Sequence, residues 1–175
     1  MMLDVMFRVD SQLLADYFSY LFPVSGDGLR KVSASSGMGK LLVAHCRPSD
    51  SPVPEPAGGT VFKIELPNDT ATKPLIDRFL YYPPASLFAL NKALSAFFDL
   101  DFTAYYLKGE RMGIQKKDVV SAFIVSRGLF TVDCYDALHK RAYRHSCQTY
   151  EAIQRRLLRK AYYIDETIDT KGLTP

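Results

Sequence analysis

Residues 115–163, QKKDVVSAFIVSRGLFTVDCYDALHKRAYRHSCQTYEAIQRRLLRKAYY, hold 10 of the chain's 22 Lys and Arg residues and divide at a glycine. On the near side, Val119, Val120, Phe123, Ile124 and Val125 crowd Lys116–Arg127 with few polar interruptions. Apolar residues over so much of a helical surface predict a largely buried helix. Gly128 suits the left-handed residue that ends it. On the far side, Thr131 or Asp133 is placed to cap a second helix, and Asp133 and Asp136 favour its positive N-terminal end. A buried helix, a short glycine-containing turn and a capped second helix make a helix-turn-helix-like pair.

The second helix has the chemistry for that role. Leu138, Ala142 and Tyr143 are spaced to face the first helix, leaving His139, Lys140, Arg141, Arg144 and Gln148 on the other side. Arginine and lysine bond guanine edges or neutralise phosphates, and glutamine reads adenine. Beyond it, Ile153, Leu157 and Ala161 form an apolar stripe flanked by Arg155, Arg156 and Arg159. The expectation is DNA binding, with Lys140, Arg141, Arg144 and Gln148 towards the groove. Lys116, Lys117, Arg155, Arg156 and Arg159 would contact phosphates. The C-terminal stripe is a candidate homodimer contact. Helical hairpins with basic surfaces also occur in proteins that never touch DNA. The competing expectation is therefore a non-enzymatic protein-interaction module using the aromatic middle and the C-terminal helix.

The charge balance motivates the first reading. Net charge is only +3, yet residues 104–163 carry 12 Lys/Arg against 5 Asp/Glu, so the rest of the chain is mildly acidic. Such a split suggests one polyanion-facing end. The 175 residues, 47 % of them hydrophobic, are enough for one domain with a substantial core. Three cysteines, Cys46, Cys134 and Cys147, include no CxxC pair, which fits a reducing setting rather than a disulfide framework. The N-terminal MMLDVMFRVD has no apolar signal core, and no apolar run reaches membrane-spanning length. A cytoplasmic, soluble chain with no membrane contact is the expectation.

Working outward, Leu3, Val5, Phe7 and Val9 alternate with mostly polar residues and predict a strand with one buried face. Ser11 is a candidate N-cap for a helix carrying Leu13, Leu14, Tyr17, Phe18 and Leu21. The apolar run Lys40–Cys46 reads as a second strand, and Thr60–Leu66, alternating again, as a third. After an irregular stretch, 67–83, Pro84–Leu100 reads as the most apolar helix, striped by Leu87, Leu90 and Leu94. Asp101 is placed to cap a further short helix closed by Gly109. The fold class expected is α+β. A small N-terminal, mostly antiparallel three-stranded sheet with one helix (1–66) precedes a helical C-terminal half (67–175), the whole forming one compact domain.

No catalytic signature emerges. Gly37-Met38-Gly39-Lys40 lacks the earlier glycine of a phosphate loop, where Ala34 stands, and Leu41 replaces the metal-holding Ser or Thr. Cys134, His139, His145 and Cys147 are not spaced to share one face of a helix, so no metal or other cofactor is expected.

Overall fold

The computed structural model describes residues 3–26, 28–130, 134–144 and 159, with the backbone alone at 141–144. Strand β1 spans Asp4–Val9 and buries Val5, Phe7 and Val9 in strict alternation, as the sequence pattern requires. Strand β4, Thr60–Glu65, pairs with it antiparallel from Asp4↔Glu65 to Val9↔Thr60. Three shorter strands complete the sheet: β2 (Arg30–Lys31), β3 (Arg47–Ser49) and β5 (Phe79–Tyr81). The order is β2-β4-β1-β5-β3.

This overturns the expected three-stranded, mostly antiparallel sheet. The sheet has five strands and is mixed, because β5 joins β1 in parallel and β2 joins β4 in parallel. The stretch read as irregular supplies β5, next to a 3₁₀ turn at Lys73–Leu75. Strands of two or three residues are too short to show a period of two. Both sheet edges, β2 and β3, are such strands, and β3 carries Pro48, which suits an edge position.

The expected strand at Lys40–Cys46 is a helix. Helix α2 spans Gly37–His45, and the Ser36 hydroxyl accepts from the Gly39 amide at 2.9 Å to cap it. Met38 and Leu42, four apart, are its buried side. A β-carbon at Gly39 would lie 1.9 Å from the Ser33 carbonyl oxygen, so only glycine fits this first turn. Helix α1, Gln12–Leu21, begins after Ser11, but the Ser11 hydroxyl makes no capping bond.

Helix α3 runs unbroken from Pro84 to Arg111, through the expected break at Asp101. Leu87, Leu90, Leu94, Phe98, Phe102 and Tyr106 form its buried stripe. Asn91 sits in the same stripe, 7 % exposed, and is fully engaged. Its Oδ1 accepts from the Asp10 amide at 3.0 Å, and its Nδ2 donates to the Arg8 carbonyl at 2.9 Å. One side-chain amide thus stitches the long helix to the end of β1. Gly109 lies inside the helix, not at its end. A β-carbon there would meet Val119 Cγ2 at 2.5 Å, so the glycine lets α3 and the helix that follows it approach closely. Helix α3 ends where Gly113 takes φ 72° and the Ile114 amide donates to the Gly109 carbonyl at 3.1 Å.

Candidate functional site

Helix α4 spans Lys116–Arg127 and helix α5 spans Cys134–Arg144. Gly128 takes the left-handed conformation (φ 62°, ψ 38°), and the Leu129 amide donates to the Ile124 carbonyl at 3.0 Å, closing α4 as expected. Thr131 and Asp133, the expected caps of α5, lie outside the described residues.

The expectation that α4 is largely buried is corrected. Only Val119, Val120 and Phe123 are fully buried, and Val125 is 77 % exposed. These three side chains pack α4 against α3, with Phe123 meeting Phe98, Phe102 and Tyr105 edge-on at 5.1–5.9 Å between ring centres. Helix α5 is seated through Cys134 and Leu138, one turn apart, with Leu129 buried in the connection. Burial pushes the Cys134 thiol up to about 11, assisted by Asp16, and burial likewise pushes Cys46 up to about 11. Both thiols are therefore protonated near neutrality and serve as packing rather than as nucleophiles.

What fixes the pair to the rest of the molecule is Arg127, a residue that the charge pattern alone does not single out. Its Nε donates to Asp101 Oδ2 at 2.8 Å and its Nη2 to Asp101 Oδ1 at 3.0 Å, a two-pronged ion pair. The guanidinium also lies 4.7–5.4 Å from the ring centres of Tyr20, Phe123 and Tyr105. The Tyr17 hydroxyl donates to the same carboxylate at 3.3 Å, and burial plus the Asp101 charge raises its pKa. Helices α1, α3 and α4 thus meet at one charged knot. The hydrogen bonds to Asp101 raise the Arg127 pKa, so it stays charged. Nearby, the Phe130 amide donates to Asp16 Oδ2 at 3.0 Å, tying the turn to α1. The only sequence signal for Arg127 is a cation in the last turn of a helix, before its glycine.

The expected site residues fall into three groups. Lys116 and Lys117 are exposed in the first turn of α4, and Lys140 is exposed on α5. Arg141 and Arg144 lie on the backbone of α5, and Arg159 is helical and exposed. Gln148, Arg155 and Arg156 lie outside the described residues, as do Ile153, Leu157 and Ala161 of the expected dimer stripe. Two lysines in a first helical turn oppose the helix dipole, an arrangement that disfavours the free helix and that an approaching anion relieves. Asp118 in the same turn offsets part of this.

Among the described residues, no helix is long and apolar enough to cross a membrane. The chain matches no protein-family model, and comparison with curated proteins and with solved structures likewise gives no match.

Proposed function

We propose that the α4–α5 pair is a nucleic-acid-binding unit with duplex DNA as its ligand. The observation that carries this reading is the exposure of Lys116, Lys117 and Lys140 on the two helices, with Lys117 and Lys140 on the sides turned away from the buried residues. Lys140 shares α5 with Arg141 and Arg144, so cations dominate the last two turns of that helix. Phosphate contacts of this kind give affinity with little sequence preference; Arg141 and Arg144 add to that charge and, with Gln148, supply the sequence reading. The knot at Arg127 holds the unit on the α1–α3 scaffold, and Arg127 itself contacts no phosphate.

A second reading has one specific observation behind it. Phe130 is 85 % exposed and Val125 77 %, two bare apolar side chains beside the turn. A protein partner covering that turn would explain them, whereas the aromatic residues Phe98, Phe102 and Tyr106 are spent on the core.

The test is fluorescence anisotropy of a labelled generic duplex, titrated with the full chain at low and moderate salt. The proposal expects binding that weakens steeply as salt rises and that is lost when Arg141→Ala and Arg144→Ala are combined. Absence of binding at low salt sinks it. In that case, self-association or partner capture abolished by Phe130→Ser would favour the second reading.

A further inference from the structure

A cavity of about 480 Å³ opens between α2, β3 and the 69–75 turn, away from α4 and α5. That volume falls within the range of small-ligand sites. Its walls are apolar where Val43, Pro48 and Leu75 line it, and Lys40 and Arg47 also border it. Hydrogen bonds hold the walls in place. Arg47 Nη1 donates to the Ala44 and Cys46 carbonyls, both at 2.9 Å, and thereby pins the α2–β3 corner. Behind that corner the Tyr82 hydroxyl donates to the Leu42 carbonyl at 3.0 Å. On the opposite wall, Thr72 is fully buried, and its hydroxyl donates to the Pro67 carbonyl at 2.5 Å.

The charge on this cavity is unbalanced. Among the described residues, no carboxylate pairs with Lys40 or Arg47. The Arg47 hydrogen bonds go to neutral carbonyls, which leave its positive charge in place. The one acid on the wall, Asp69, bonds within its own loop, where its Oδ1 accepts from the Ala71 amide at 2.9 Å and from the Thr72 amide at 3.2 Å, so the lining holds two cations against one carboxylate. Elsewhere on the sheet, Lys31, Lys63 and Arg78 each have an acid partner, in Glu65, Asp4 and Asp50. A preformed apolar hollow bordered by two cations without acid partners selects for an anion with an apolar body. A neutral apolar molecule would leave the cations unused, and a cation would be repelled.

We infer that this cavity binds a small organic anion, a carboxylate or phosphate carried on an aliphatic body. The headgroup sits between Lys40 and Arg47 and the body lies against Val43, Pro48 and Leu75. This site is separate from the nucleic-acid unit and does not depend on it.

The experiment is an amide ¹H–¹⁵N titration of the full chain with decanoate, decyl phosphate and decanol in parallel, each below its micelle concentration. Saturable shifts are expected for residues 40–49 and 69–75 with one or both anions, and whichever binds more tightly identifies the headgroup. Charge-assisted contacts make decanol weaker by about tenfold or more. Combining Lys40→Ala with Arg47→Ala should weaken the anion by a similar factor. Because Arg47 also braces the α2–β3 corner, Lys40→Glu is the second variant; it leaves those bonds intact and should weaken the anion as strongly. Equal binding of decanol, shifts outside these residues, affinity unchanged in Lys40→Glu, or no saturable shift with either anion would each overturn the inference.

Discussion

The two halves of α3 are fastened by different physics. Near its start, Asn91 bonds neutral backbone groups at the end of β1, in a site almost closed to water. In the second half, Asp101 takes an ion pair from Arg127, and the two side chains are 26 % and 18 % exposed. The glycines repeat the contrast. Gly39, on the sheet side, is required by a backbone oxygen, whereas Gly109, on the helix side, is required by the methyls of one valine. The sheet side is therefore specified by groups that cannot move. The helix side, which carries the α4–α5 unit, is specified by side chains that can.

That contrast can be broken by substitution, from the largest expected effect to the smallest. Gly39→Ala forces a carbon against the Ser33 carbonyl and should cost about 3 kcal/mol in urea unfolding, at the upper end of overpacking penalties. No second side-chain deletion should restore it. Asn91→Ala leaves the Asp10 amide and the Arg8 carbonyl without their partner and should cost about 2 kcal/mol. Arg127→Ala should cost about 1–2 kcal/mol, the value of a charge-assisted, partly screened pair. Gly109→Ala should cost about 1 kcal/mol, because overpacking against Val119 is offset by the better helix propensity of alanine. Adding Val119→Ala should remove the overpacking part, so the double variant should be more stable than the sum of the single changes predicts. If Gly39→Ala were rescued as readily as Gly109→Ala, the contrast would fail.

Alkaline pH probes both sides together. Cys46 and Cys134 are each pushed up to about 11 by burial. A group whose folded pKa lies above its unfolded value contributes stability that is fully present below the unfolded pKa, near 9, and is lost as pH rises through the folded value. Unfolding midpoints measured under reducing conditions should hold to about pH 9 and fall towards about pH 11. Cys46→Ala should flatten part of that decline; an unchanged slope would show that its thiol does not contribute.

How much of this was legible in the sequence follows from length and period. β1, β4, α1 and the leucine stripe of α3 repeat a pattern over enough residues to declare themselves. β2, β3 and β5 are two or three residues long and have no period to read. The run LLVAHC looks like a strand because a buried short helix and a buried strand have the same apolar composition. Its helicity is settled by the Ser36 cap and the fit of Gly39. Asp101 and Gly109 resemble helix punctuation, but each is claimed by a distant partner, Arg127 and Val119, which local pattern does not reveal. At the candidate site, charge alone points to Lys116, Lys117 and Lys140. It does not point to Arg127, whose role depends on Asp101, Tyr20 and Tyr105 arriving from elsewhere in the chain.

The measurement that tests the functional reading most directly compares the salt dependence of duplex binding in two triple variants of equal charge change. One removes the helix-side cations with Lys116→Ala, Lys117→Ala and Lys140→Ala. The other removes Lys31, Lys63 and Arg78 from the sheet side by the same substitution. If α4 and α5 hold the phosphates, the first variant lowers the slope of log affinity against log salt by about 0.9 for each phosphate it no longer neutralises, and the second leaves the slope at the wild-type value. Equal changes in both variants would show that net charge alone governs binding, and the α4–α5 unit would lose its claim as the interface.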